Sequence, residues 1–166
     1  NIAVLGHQGS GKTSLVESLL AATGGIVGKG TVEKGSTVSD YLPYEAEKGC
    51  SFNTAVCPVF YNGYKFNFID VPGSEELSTE VDNILSIVKG AILVVAASKG
   101  IEVGTERSWE ELRKRNIPTI IFINKMDKEN IKYDDLIEEL QEKFGKRVAP
   151  FSYPLGKQDK FDGVAL

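Results

Sequence analysis

Gly6-His7-Gln8-Gly9-Ser10-Gly11-Lys12-Thr13 stands between an apolar run, Ile2-Ala3-Val4-Leu5, and a segment of helical spacing that begins at Lys12. The octet is a complete G-x-x-x-x-G-K-[ST] loop in the strand-to-helix context that its chemistry requires. Its glycines let the backbone curl so that N–H groups and the start of a helix point inward, a cradle for phosphate. Lys12 can reach the β- and γ-phosphates of a nucleotide. The Thr13 hydroxyl suits Mg²⁺, which prefers oxygen ligands. Gly6, His7, Gln8, Gly9, Ser10, Gly11, Lys12 and Thr13 are therefore the candidate phosphate-binding residues, with Lys12 also a catalytic candidate.

Two further motifs follow in order. Asp70-Val71-Pro72-Gly73 closes the apolar run Phe66 to Ile69, which places Asp70 at a strand's carboxyl end, where it can hold Mg²⁺ through water. Gly73 can offer a backbone N–H to a γ-phosphate, a contact that hydrolysis removes. Asn124-Lys125-Met126-Asp127 follows the strand-like Ile120 to Ile123. The Asp127 carboxylate can accept from both N1–H and the 2-amino group of guanine, whereas adenine would leave it unpaired. At roughly 1.5–3 kcal/mol for each charge-assisted hydrogen bond, that is a strong discriminator. Asn124, Lys125 and Asp127 thus join the nucleotide-binding set. Ser51 is the candidate third metal-side residue by position, since a nucleotide switch needs a mobile segment that adds one hydroxyl to Mg²⁺ only when γ-phosphate is present. The metal set is Thr13, Ser51 and Asp70. His7, the one histidine, reads as packing or as supporting other site residues from behind rather than catalysing.

Working outward from these loops, Lys12 to Thr23 has helical spacing, with Leu15, Leu19 and Leu20 sharing a face and Val16 beside them. Gly24-Gly25 ends that helix. Gly28 to Gly49 is polar and Gly-rich, and so long a loop in a compact domain is usually functional or mobile. Phe52 to Tyr61 and Tyr64 to Asp70 flank Asn62-Gly63, a hairpin signal. Leu77 to Lys89, Val103 to Asn116 and Tyr133 to Phe144 read as helices. Ala91 to Ala97 and Thr119 to Ile123 read as buried strands. Alternating strands and helices imply an α/β fold: a mostly parallel sheet, one antiparallel edge strand, and helices on both faces.

Composition sets the bounds. At 166 residues, 42% hydrophobic and 25% charged, the chain is one globular domain by length. A net charge of −4 argues against a broad nucleic-acid patch. No apolar run is long enough to span a membrane. Cys50 and Cys57 form no C-x-x-C pair, which points to ordinary thiols in a reduced, cytoplasmic setting. The chain opens on Asn1 and stops at Leu166 in an apolar run, so it reads as a piece of something longer.

These residues resemble the GTPase domain of translation factors, specifically elongation factor G, along the whole chain. The similarity is carried by Gly6-His7 opening the phosphate loop, Glu47-Lys48-Gly49-Cys50-Ser51, Asp70-Val71-Pro72-Gly73 and Asn124-Lys125-Met126-Asp127-Lys128. Gly9-Ser10-Gly11 and Val103-Gly104-Thr105-Glu106-Arg107-Ser108-Trp109 are similar in particular to elongation factor G-like paralogues. The resemblance implies a P-loop GTPase domain that binds GTP and GDP with Mg²⁺ and has the ribosome as partner. It also implies residues 1–147 as the GTP-binding core. Pro154-Leu155-Gly156 and Phe161-Asp162-Gly163-Val164 look like the start, over 148–166, of an insertion. The core's last strand and helix, and further domains, would lie beyond residue 166.

The sequence departs from the family at three positions. Its switch Thr is Ser51, its acidic residue in the phosphate loop is Gly9, and its water-positioning His after Asp-x-Pro-Gly is Ser74. Gly73 and Ser74 complete the catalytic candidates. Ser74 also opens an alternative, a GTP-binding switch with negligible hydrolysis. A P-loop ATPase or small-molecule kinase is a second rival, against which Asn124-Lys125-Met126-Asp127 argues.

Overall fold

The computed structural model describes residues 1–40, 42, 44, 45, 51, 53–73, 78–129, 131–156 and 161–166. Five strands form one sheet: β1 (Ile2–Leu5), β2 (Ala55–Tyr61), β3 (Tyr64–Asp70), β4 (Gly90–Ala96) and β5 (Thr119–Asn124). Their order is β2-β3-β1-β4-β5. Strands β3, β1, β4 and β5 run parallel, and β2 pairs antiparallel with β3. Helices α1 (Lys12–Ala22), α2 (Ser78–Ile87), α3 (Val103–Lys114) and α4 (Tyr133–Phe144) make the connections. The expected fold class is borne out.

The core divides at the sheet. On one face Val16 and Leu20 of α1 pack on Val4, Phe68 and Val94. On the other, Ile84, Leu85 and Leu112 pack on Ala3, Leu5, Ile69 and Leu93. The central strands are apolar runs because both of their faces are covered. β2 alternates instead: Ala55, Cys57 and Val59 are buried, while Val56 and Phe60 face out. Pro58 is tolerated there because β2 is an edge strand. Asn62 and Gly63 both have positive φ, 48° and 80°, as the two-residue hairpin turn between β2 and β3 demands.

Three expectations need correction. The buried stripe of α1 is wider than the expected apolar face: Val16 and Leu20 are buried, with Leu15 and Leu19 partly buried against the same cluster, but Lys12, Thr13 and Glu17 are buried too. The apolar count did not show that the helix also turns polar, site-bearing residues inward. β2 begins at Ala55, three residues later than the apolar pattern suggested. β5 is only half buried: Ile120 and Phe122 are 68% and 38% exposed, because among the described residues β5 is an edge with one face uncovered. The polar stretch after α1 also carries a short 3₁₀ turn, Val32–Lys34. Past α4, β6 (Tyr153–Leu155) and β7 (Gly163–Ala165) pair with each other and not with the main sheet.

Candidate functional site

Because β1, β3, β4 and β5 are parallel, their carboxyl ends, Leu5, Asp70, Ala96 and Asn124, fall on one sheet edge. In open α/β sheets that edge is where ligands bind. The octet leaves β1 at Gly6, whose backbone passes so close to β4 that a Cβ would lie 2.3 Å from the Val94 carbonyl oxygen. Lys12, buried at 7% exposure, donates from Nζ to the Gly6 and His7 carbonyls at 3.1 Å each. Burial pushes its pKa down to about 8, and nearby Asp70 partly opposes that. Phosphate oxygens beside Nζ favour the charged form and so are natural partners.

Thr13, the second residue of α1, donates from Oγ1 to Asp70 Oδ2 at 2.8 Å. The Ser51 hydroxyl lies 3.1 Å from Thr13 Oγ1 and donates to Asp40 Oδ1 at 2.6 Å. All three residues of the proposed metal set therefore meet, although 57 positions separate Thr13 from Asp70. Asp70 is 2% exposed, and burial raises its pKa to about 6 against the Thr13 hydrogen bond. Its Oδ1 is buried and has no hydrogen-bond partner among the described residues. A buried carboxylate oxygen with no donor, beside two hydroxyls, suits a hard cation with oxygen ligands. Among the described residues no cluster of three or more His, Cys, Asp or Glu could hold a metal by itself, so hydroxyls, water and phosphate would supply the remaining ligands.

Gly73 closes over the phosphate loop. A Cβ there would lie 2.4 Å from Lys12 Nζ and 2.8 Å from the Gln8 nitrogen, so only glycine permits this approach. Ser74 lies outside the described residues, as do Glu47, Lys48, Gly49 and Cys50. Cys57 is a buried free thiol, its pKa pushed up to about 11 by burial.

The third motif docks directly on the first. Asn124 Nδ2 donates to the Ser10 carbonyl at 3.0 Å, and Lys125 Nζ donates to the Gly9 carbonyl at 2.7 Å. Gly11, with φ +98°, lies against Asn124; a Cβ would approach Nδ2 to 2.1 Å. Asp127 is exposed at the end of the same loop. His7 Nδ1 accepts from the Gly104 N–H at 3.3 Å, and Nε2 lies 3.4 Å from Glu102 Oε1. His7 thus packs the loop against the start of α3, as expected.

Sequence reasoning missed Asp40, Glu17 and Glu45. Glu17 and Glu45 are 0% and 1% exposed. The legible signal was a Glu four residues after Thr13, adjacent to Val16 and one turn before Leu20 on the same helix. Asp40 carried no local signal in a polar loop.

A parallel sheet with a phosphate loop after β1, an aspartate at the end of β3 and a base-reading loop after β5 defines a P-loop guanine-nucleotide-binding domain. Residues 1–161 match the family model described as "Elongation factor Tu GTP binding domain", and the chain belongs to that family. Elongation factor G of Thermotoga petrophila is 36% identical over 164 residues, 99% of this chain and 24% of that protein. An elongation factor G-like protein of Thermotoga maritima is 36% identical over 163 residues, 98% of this chain and 23% of that protein. A crystal structure of a Thermus thermophilus protein superposes with a TM-score of 0.92 at 33% identity, covering 98% of this chain and 24% of that one. The chain spans about a quarter of the length of these relatives.

Proposed function

We propose that this chain is the GTP-binding and GTP-hydrolysing domain of an elongation factor G-like translation factor that works on the ribosome in the cytoplasm. The observation that carries it is the docking of Asn124 and Lys125 on the Ser10 and Gly9 carbonyls. Base reading and phosphate binding are thereby one rigid site. The backbone N–H groups of residues 6–13 and Lys12 hold the phosphates, and Asp127 reads guanine. Thr13, Asp70 and Ser51 would hold Mg²⁺, which when bound neutralises charge on the β- and γ-phosphates. Gly73 contacts the γ-phosphate, and Ser74 holds the sequence position whose side chain, by the resemblance, orients the attacking water.

Support for translation as the setting comes from the elongation factor G relatives. Among the described residues no helix is long and apolar enough to cross a membrane. Membership of a GTPase family favours hydrolysis over a switch that never hydrolyses. Ser74, a short neutral side chain, favours hydrolysis that is slow without the ribosome. The self-pairing of β6 and β7 supports residues 148–166 as the start of an insertion on a 1–147 core, with further domains beyond.

The test is nucleotide competition followed by single-turnover hydrolysis with and without ribosomes. GTP and GDP should compete at least about 100-fold better than ATP, following from two charge-assisted hydrogen bonds. Equal competition by ATP would sink the assignment. A hydrolysis rate that ribosomes leave unchanged would remove the ribosome as partner.

A further inference from the structure

The buried carboxylate of Glu17 takes no part in the site described above, yet it sits on α1 one turn beyond Thr13. Its Oε2 accepts from the Gly30 N–H at 3.1 Å, and its Oε1 accepts from the Val38 N–H. An unpaired carboxylate at 0% exposure would be strongly unfavourable. Two backbone donors remove that cost, and in doing so they fasten both ends of one loop to one side chain.

The loop between those ends is closed on itself. Ser36 N–H donates to the Thr31 carbonyl at 3.2 Å, and the Thr31 N–H donates to Ser36 Oγ at 3.0 Å. At Gly30 a Cβ would come within 2.2 Å of the Ser36 carbonyl oxygen, so the chain crosses itself at a point only glycine can occupy. Immediately past Val38 the segment reaches the metal side. Thr37 Oγ1 donates to Asp40 Oδ2 at 2.8 Å, and Asp40 Oδ1 takes the Ser51 hydroxyl. Ser51 in turn lies against Thr13. A second buried carboxylate, Glu45, accepts from the Leu42 and Asn53 N–H groups and fixes the chain on either side of the return.

We infer that Glu17 is a positioning residue for the metal-side hydroxyls: it fastens residues 30–38 to α1 so that Asp40 delivers Ser51 to Thr13. The same helix face thus carries a metal ligand, Thr13, and the anchor for the segment that brings the second hydroxyl. This inference rests on the proposed role of Ser51 toward Mg²⁺ in the GTP state. It assigns the part of the loop before Asp40 as a fixed arm, and Ser51 as the element the arm presents.

The test uses the intact protein. Glu17→Gln keeps the side-chain volume but turns an NH₂ toward one of the two N–H donors. Binding of a non-hydrolysable GTP analogue with Mg²⁺ should weaken about tenfold, while GDP affinity should stay within about twofold, the loss of one charged hydrogen bond being felt only where Ser51 is used. Amide exchange at Gly30 and Val38 should accelerate in the absence of any nucleotide. Asp40→Asn, which leaves the α1 face intact, should shift the same analogue-to-GDP ratio, and the double variant should add little. If Glu17→Gln does not fold, Gly30→Ala probes the same fastening from the loop side. An unchanged ratio in Glu17→Gln, or equal losses for GDP and analogue, would overturn the inference. Thr13→Ala separates this from failure of the underlying reading: if that variant leaves Mg²⁺-dependent binding intact, the metal assignment itself falls.

Discussion

The hydroxyl of Thr13 donates to Asp70 across 2.8 Å, tying the first turn of α1 to the last residue of β3. One hydrogen bond therefore joins the helix that follows the phosphate loop to the loop that leaves β3. Removing it touches both fold and function. Thr13→Ala should weaken Mg²⁺-dependent binding of GDP and GTP alike by at least about tenfold. It should also lower the stability of the nucleotide-free protein by about 1–3 kcal/mol, because Asp70 loses its donor while staying buried. Nucleotide titration at several Mg²⁺ concentrations and urea unfolding measure the two effects. Retained binding with lost stability would make Thr13 structural only.

Asp127 is the residue proposed to read the base. Asp127→Asn should move preference from guanine toward xanthine nucleotides, whose 2-keto group suits an amide donor. Asp127 is exposed, so the fold should be unaffected. Competition of xanthosine and guanosine diphosphates against a fluorescent nucleotide reads the switch. A variant that still prefers guanine by the wild-type margin would place base recognition elsewhere.

Gly11 is one of the points where the first and third motifs meet. Gly11→Ala puts a Cβ 2.1 Å from Asn124 Nδ2 at a backbone φ of +98°. Strain at φ > 0 and the displaced Asn124 should together abolish tight binding of every guanine nucleotide, with a fall of at least about 100-fold, equivalent to roughly 2.7 kcal/mol. Isothermal titration on the folded variant checks this, circular dichroism confirming that the sheet survives.

Ser74 lies outside the described residues, but its chemistry is definite. A hydroxyl is shorter than an imidazole and neutral at physiological pH, so it orients water and offsets charge less well. In the intact protein Ser74→His should raise ribosome-stimulated phosphate release by about tenfold or more, a barrier change of about 1.4 kcal/mol. A wild-type rate already matching ordinary elongation factor G, with no gain from histidine, would show that Ser74 is not limiting.

Stability at a distance from the site rests on the α3 side of the sheet. Leu112 is fully buried against Leu5, Leu93 and Ile117 in the same cluster. Leu112→Ala should cost about 2–5 kcal/mol of unfolding free energy. Chemical denaturation gives the value, and nucleotide affinity under folding conditions should change little.

The three motifs were legible because each is local: a loop of fixed length between a strand and a helix, whose glycines and charged residues announce their chemistry. The hairpin was legible for the same reason, since Asn62-Gly63 is a two-residue turn whatever surrounds it. The polar part of the inward face of α1 was not. Apolar counting found Val16 and Leu20, whereas Glu17 and Thr13 face inward because donors and acceptors from residues 30, 38, 51 and 70 wait for them there.

The sequence by itself determined the family and the fold class: three motifs of a guanine-nucleotide-binding domain, and an alternation of strands and helices that forces a mostly parallel sheet. Parallel strands must place their following loops on one edge, so even the meeting of the three motifs followed from the pattern. Tertiary structure alone decided how that edge is held. Asn124 and Lys125 grip the phosphate loop by its carbonyls, His7 lies against α3, and two buried glutamates hold the chain that brings Asp40 and Ser51 to Thr13. Most of these contacts pair a side chain with a backbone group, and those of Asn124, Lys125 and His7 reach across about a hundred positions of sequence. The backbone partner is the same in every residue type, so no pattern of letters marks it.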